Sequence, residues 1–566
     1  MSMTTEGLTI TLPRAVASRR VLQMRLTLET ALAAVLLPIF LALAMVIPSL
    51  GINIFNTPDE TSDYLFTKTF AEHGRLWYTE EYTSLDEENL LHPRGAMTHD
   101  GRIVPYSFLG LPLVYGVIYR VVGDHLQYIS FVLAAVSAWA LYRSTSLLFG
   151  ARAWEAWTVA LGFSPLIYYL NRPYMNAAPA LTLFFVGIWL FARYLRGDQR
   201  RDLKLAACAM ALVVLFRYEY VLFVTPLALW ALYVKHGSLL SRSYRWDCAA
   251  YFAALLLLVA LPVAALNHYI YGDVFTYGPG LFNEVYFPER GATPDASWLE
   301  SLGRSLRSVL LPSYPFDPLQ VLTNVPRLTA WTMPVFTLTA ALGIAMLIRA
   351  RSVSLWRMAP LSLLVVYVLF YRGSGNTWDA SGTEPGLEVA VVRYWLPVYT
   401  LLFFLAVYAL RAMRDQAVKL VLVGALLLTG PVSVYSLADG SLLTGRDTIK
   451  AYEAWVGNVL LPNTEENALI FVGRTDKRIA AYRDVATWWN GAEFYDVEKV
   501  AASMVRVVPN GRPLYVYKEP EVDIPALNDV LARYGLEARP VARTGFYRIE
   551  PKQPTSASPR GAQDDV

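Results

Sequence analysis

Directly after the first long apolar run the chain reads Thr57-Pro58-Asp59-Glu60, and acids crowd the stretch beyond it. From Thr57 to Asp100 they are Asp59, Glu60, Asp63, Glu72, Glu80, Glu81, Asp86, Glu87, Glu88 and Asp100, against Lys68, Arg75 and Arg94. Thr57 as N-cap, Pro58 at the first helical position and Glu60 three after the cap form a capping box. Acids in a first turn also suit the helix dipole. A capped helix end above a membrane fixes a carboxylate rigidly, and such a group can accept the proton of a hydroxyl late, as the new bond forms. His73, His92 and His99 share the segment. Their separations match no helical i, i+4 pair, so a metal site with these acids is not favoured.

The matching cations come from far along the chain. Arg393 opens Arg393-Tyr394-Trp395-Leu396-Pro397 at the edge of a late apolar run. Its fork suits phosphate oxygens, although an arginine snorkelling from a helix end would look the same. Arg217 and Glu219 flank Tyr218 at the end of another run. Ionisable groups so placed are functional candidates, or a structural pair with each other. Tyr371, Trp378, Tyr394, Trp395 and Tyr399 can stack on a sugar ring or form an interfacial belt. The chain has no phosphate loop, dinucleotide fingerprint or zinc-protease motif, which counts against an ATP-driven pump.

The elements that must hold these groups are membrane spans. The 566-residue chain is 55% hydrophobic and only 17% charged, with a mean hydropathy of +0.35. Soluble chains average roughly 25% charged residues, and runs of about 20 apolar residues signal spans. An ordinary soluble enzyme and a disordered chain are excluded, and a net charge of +3 gives no reason to expect a nucleic-acid partner. Cys208 and Cys248, the two cysteines, build neither a disulfide framework nor a metal site. The first run, 31–50, is too long for a signal-peptide core and reads as a retained span. Further runs are centred near residues 136, 161, 185, 210, 226, 256, 338, 364, 401 and 428, giving about eleven.

Charge bias orients them. Arg14, Arg19, Arg20 and Arg25 precede the first span, which places the N-terminal segment 1–28 in the cytoplasm. Val104–Val122 is apolar but interrupted by Pro105, Gly110, Pro112 and Gly116. Counted as a span, it would put the clusters at 196–204, 235–245 and 349–357 outside. Laid along the membrane surface or re-entrant, it returns them to the cytoplasm with Arg411, Arg414 and Lys419, and the positive-inside rule selects this reading. The polar segments 52–104, 268–325, 373–390 and everything after 438 then lie outside. Within the last, Ala468–Gly473, Pro513–Tyr517 and Phe546–Ile549 read as short strands and Ile524–Tyr534 as an amphipathic helix. The expected architecture is an α-helical polytopic protein of the plasma or inner membrane. It comprises a transmembrane domain (29–437) carrying the loop 52–104, a small extracytoplasmic α/β domain (438–552) and a disordered tail (553–566).

At these residues the chain resembles the GT-C glycosyltransferases, in particular the family 39-like branch of protein O-mannosyltransferases and lipid A aminoarabinose transferases. Five stretches in order carry the resemblance: Asp59-Glu60 after the first span, Gly101–Pro105 running on to Pro112, Asn171–Asn176, Asn267–Asp273, and Arg393–Pro397. The resemblance implies a polyprenyl-phosphate-linked sugar as donor and inverting transfer on the outer face to a protein, lipid or glycan hydroxyl. It implies Asp59 as base or acceptor-orienting carboxylate with Glu60 beside it, and Arg393 on the donor phosphate. Lys68, Tyr394 and Arg217 would be further donor-binding candidates. No cofactor is required. Many relatives carry an acid where this chain has Asn176, so a metal bridging two carboxylates is not favoured. The alternative is a transporter or lipid-linked-sugar flippase without covalent chemistry. Such folds show inverted repeats and interrupted spans at the midplane, whereas here no halved symmetry is visible and the polar mass lies outside.

Overall fold

The computed structural model describes residues 19–197, 199–276, 318–350, 392–435, 442–488 and 495–552, with Gly278 and Leu281. Arg14, the run near 364, Tyr371, Trp378, the segment 373–390, most of 282–325 and the tail 553–566 lie outside the described residues.

The chain is mostly helical. In order come α1 (Arg19–Leu43), α2 (Pro58–His73), α3 (Gly110–Val122), α4 (Ile129–Phe149), α5 (Ala153–Gly162), α6 (Ser164–Leu170), α7 (Ala177–Gly197), α8 (Arg200–Phe216) and α9 (Val221–His236). They are followed by α10 (Arg242–Leu255), running through a π turn into α11 (Leu261–Tyr271), then α12 (Pro318–Pro326), α13 (Pro334–Arg349), α14 (Val392–Ala412) and α15 (Gln416–Tyr435). Apart from the one near 364, every apolar run read from the sequence falls on or against one of these helices. Length and composition pass fewer of them as spans. Among the described residues 5 helical stretches qualify, or 6 if the pair Pro318–Trp331 and Pro334–Arg349, bent by 103°, counts as one. The expected eleven is therefore not reached on that measure. Runs such as those at α5–α6, α8 and α9 are too short individually to span about 30 Å of hydrocarbon.

Close backbone approach sets the packing in places. On Gly430 of α15 an added Cβ would meet Leu161 O of α5 at 2.1 Å and Gly162 Cα at 2.7 Å. Gly430→Val is expected to push these helices apart at a cost of about 1–3 kcal/mol, seen as a lower thermal midpoint in detergent. An unchanged midpoint would mean the contact is looser than described.

The two ends of the bundle differ. At one, Glu29 pairs with Arg152, Lys419 Nζ with Glu155 Oε1 at 2.6 Å, and His236 Nε2 with Asp247 Oδ2 at 2.8 Å. These belong to the basic connections. At the other, Asn171 receives a hydrogen bond from Ile47 N (3.0 Å) and donates to Leu43 O (2.7 Å), tying the end of α1 to the end of α6. Here too lie α2 and the ribbon β1 (Ala96–His99)–β2 (Arg102–Pro105), closed by Asp100 and Gly101 at φ 48° and 67°. Asp-Gly with both residues left-handed is the turn that a two-residue hairpin favours. Helix α3 lies against polar α2, and its Arg120 caps the end of that helix through Ala71 O (2.8 Å) and Phe70 O (3.1 Å). The segment read as surface or re-entrant is a helix packed against α2, and it lies within Gly110–Phe149, which as a whole passes as one candidate span by length and composition.

The C-terminal region forms one sheet in the order β4-β3-β5-β7-β6, with β3 (Leu469–Val472), β4 (Asp484–Thr487), β5 (Leu514–Tyr517), β6 (Leu536–Pro540) and β7 (Phe546–Pro551). β3 runs parallel to β4 and β5, while β7 is antiparallel to β5 and β6. Its helices are α16 (Leu442–Trp455), the four-residue α17 (Asp476–Ile479), α18 (Val497–Val507) and α19 (Ile524–Ala532). Alternation along β3 sends Leu469 and Phe471 to the side covered by Met504 and Leu527, and Ile470 and Val472 to the side covered by Ile449 and Leu460. Both faces are buried, as the parallel strands require. The first loop enters this core: Tyr82, Leu90 and Leu91 pack with Trp488 and Val500, and Thr487 N bonds Leu90 O at 2.8 Å. The loop and the C-terminal domain therefore lie on the same side of the bundle.

Candidate active site

The site grows from the first turn of α2. Thr57 is its N-cap in extended conformation, the hydroxyl accepting from Glu60 N at 3.2 Å. The reciprocal half of the expected capping box is absent. The Glu60 carboxylate instead takes the Thr57 hydroxyl (3.1 Å) and Arg172 Nη1 (3.1 Å). Gly95, at φ 90°, lies so close that a Cβ there would be 2.6 Å from Ser62 Cβ, and its carbonyl accepts from Ser62 Oγ at 2.5 Å. Helix start and loop are thereby locked together.

Three ion pairs meet at this end. Asp59 pairs with Arg393, from the first turn of α14, and both remain partly open, at 27% and 21% side-chain exposure. Glu60 and Arg172 are both closed off, at 6% each. Arg217, at the end of α8, binds Glu219 through Nε at 2.8 Å and Asn176 Oδ1 at 3.4 Å. The Tyr394 ring links the first and third pairs, with the guanidinium carbons of Arg217 and Arg393 each 5.2 Å from its centre. Asp59, Glu60, Arg393, Tyr394 and Arg217 are thus brought together. Lys68 is not: it sits nine residues beyond Asp59, about 13 Å along the helix, half-exposed and 3.9 Å from Glu72. Its expected part in donor binding has no support in this geometry.

Asp63, one turn after Asp59, is fully buried and accepts from Ser107 Oγ at 2.8 Å. Its other oxygen has no partner among the described residues. Burial holds this carboxyl well above the usual range against the Ser107 bond, and the nearby charges of Asp59 and Glu60 push it further up. The histidines are dispersed: His92 is buried between Asn89 O and Pro93 O at 2.9 Å each, His99 faces Tyr271 O at 3.2 Å, and His73 lies beside Glu72. Among the described residues no group of three or more His, Cys, Asp or Glu side chains is arranged to hold a metal ion.

Two partners were not singled out from sequence. Arg172 had a signal, being a lone charge at the end of an apolar run. Arg94, which binds Asp476 through Nε at 2.8 Å, had none, because 382 positions separate the pair.

Residues 113–265 match the family model described as dolichyl-phosphate-mannose-protein mannosyltransferase. Over these residues the match bears out the resemblance read from the motifs. It spans Arg172, Asn176, Arg217 and Glu219, but neither Asp59 nor Arg393. Among solved structures, one similar to this chain is ArnT from Cupriavidus metallidurans bound to undecaprenyl phosphate. It shows 14% identity and a TM-score of 0.48 over 90% of this chain and 97% of that one. No curated protein sequence matches the chain.

Proposed function

We propose that the protein moves a single sugar from a polyprenyl-phosphate carrier to an acceptor hydroxyl, with inversion, on the extracytoplasmic face. The observation that carries this reading is the meeting of Asp59 and Arg393, a partly open carboxylate and guanidinium from the starts of two distant helices. The acceptor oxygen attacks the anomeric carbon from the side opposite the phosphate. The carbon–oxygen bond to phosphate breaks, polyprenyl phosphate leaves with the electron pair, and Asp59 takes the hydroxyl proton. Arg393 turns from Asp59 toward the phosphate oxygens, where its fork steadies the growing charge. Tyr394, between two guanidinium groups, lines the sugar's approach. The isoprene tail partitions into the bilayer, so no nucleotide pocket is needed. Guanidinium groups meet the leaving phosphate, and no step calls on a metal.

The reading is tested by incubating the purified protein in liposomes with a panel of polyprenyl-phosphate sugars and candidate acceptors, then measuring released polyprenyl phosphate. Release dependent on acceptor is expected; no release across a broad panel would favour a transporter. Arg393→Ala is expected to weaken donor binding by about 10- to 100-fold, the range for losing charged hydrogen bonds, while acceptor KM changes little. The reverse pattern would remove Arg393 from the phosphate.

A further inference from the structure

The short helix α17 is held against the catalytic end of α2 by contacts that begin at opposite ends of the chain. Asp476 is wholly buried and accepts from Arg94 three times, from its backbone N (2.8 Å), Nε (2.8 Å) and Nη2 (2.6 Å). The next residue, Lys477, accepts at its carbonyl from the Thr61 hydroxyl at 2.9 Å. Thr61 is the second residue after Asp59, so the backbone of the α/β domain is bonded to the turn that carries the carboxylates.

Three charge pairs stand at this junction: Asp59–Arg393, Glu60–Arg172 and Asp476–Arg94. Lys477 has no carboxylate partner among the described residues, and its neighbour Arg478, which also has none, is stacked on the Tyr452 ring with its guanidinium carbon 3.6 Å from the centre. The Lys477 side chain is half-buried, and its ammonium makes no hydrogen bond or ion pair with a described residue. Burial pulls the pKa of the ammonium down, and Arg94 and Arg172 act in the same direction, against Asp476 and Glu60. A surplus cation in this setting favours an anion.

We infer that the C-terminal α/β domain completes the site, presenting the Lys477 ammonium beside the Glu60–Arg172 pair as a binding group for the donor's phosphate. This rests on the lipid-phosphate donor proposed above. A sugar–phosphate–polyprenol diester carries one negative charge, and the phosphate gains a second as the anomeric carbon–oxygen bond breaks. A fixed ammonium therefore binds the departing group more strongly than the intact donor. It also explains why the domain is built into the first loop: the Arg94–Asp476 clamp sets where Lys477 stands.

The test measures binding of a short-chain polyprenyl phosphate to the full-length protein in detergent by calorimetry, alongside transfer kinetics, for wild type, Lys477→Gln and Lys477→Arg. Thermal unfolding confirms that each variant is folded. Lys477→Gln is expected to bind about tenfold or more weakly with acceptor KM unchanged, and Lys477→Arg to restore most of the affinity. Equal affinity of wild type and Lys477→Gln, with transfer intact, overturns the inference and leaves the proposed function standing. A loss of affinity in Lys477→Gln in a protein that transfers no sugar supports the phosphate site and overturns the proposed function. Wild type that does not bind polyprenyl phosphate overturns the site outright.

Discussion

Asp59→Asn protein is expected to fold, to bind donor at least as tightly as wild type, and to lose transfer by about 10²–10⁴-fold, the range supplied by a positioned general base. The substitution keeps the shape of the side chain and the N-cap at Thr57, so α2 should start where it does now. It removes the charge that accepts the hydroxyl proton. It also releases Arg393 from its carboxylate partner, leaving the guanidinium free for phosphate. The signature is therefore a split: kcat collapses while donor KM stays or falls. Single-turnover release of polyprenyl phosphate with saturating acceptor measures it. A variant that loses donor affinity with kcat unchanged would show that Asp59 organises the donor site rather than taking the proton.

Periodicity and charge reached much of this geometry and stopped at identifiable places. Thr57-Pro58-Asp59-Glu60 announced a helix start because capping is local chemistry, and α2 begins at Pro58. β3, β5, β7 and α19 were legible because each buries an apolar pattern of its own. β4 and β6 were not: the first is Asp484–Thr487 at the sheet edge, and the second, Leu536–Pro540, includes Glu537 and Arg539 and ends in proline. Edge strands with charges and a proline resist unwanted pairing, and in doing so lose the apolar run that marks a strand. Arg393 and Asp59 were each visible as chemistry, but only the fold shows that they touch. That the loop and the C-terminal domain share one core had no signal in either segment, since Tyr82, Leu90 and Leu91 read alone as stray apolar residues in an acidic stretch. Lys68 shows the limit from the other side, a cation near Asp59 in sequence that stands more than two helical turns from it along α2.

Glu60 lies next to Asp59, yet its environment predicts a different loss. Its side chain and that of Arg172 are each only 6% exposed and lie 3.1 Å apart. Glu60→Ala strips the carboxylate from a buried guanidinium, and breaking such a pair from one side costs about 3–5 kcal/mol. The expected result is a sharp fall in the thermal midpoint, with activity lost along with the fold. Glu60→Gln/Arg172→Met removes both charges and keeps the volume, and such replacements are often neutral. The double variant should therefore melt well above Glu60→Ala. Its kinetics then separate the two carboxylates. Transfer retained within about tenfold would make Glu60 a positioning residue, whose pairing with Arg172 aims the first turn of α2 while Asp59 carries the chemistry. A double variant as stable as wild type but as inactive as Asp59→Asn would place Glu60 on the reacting atoms itself.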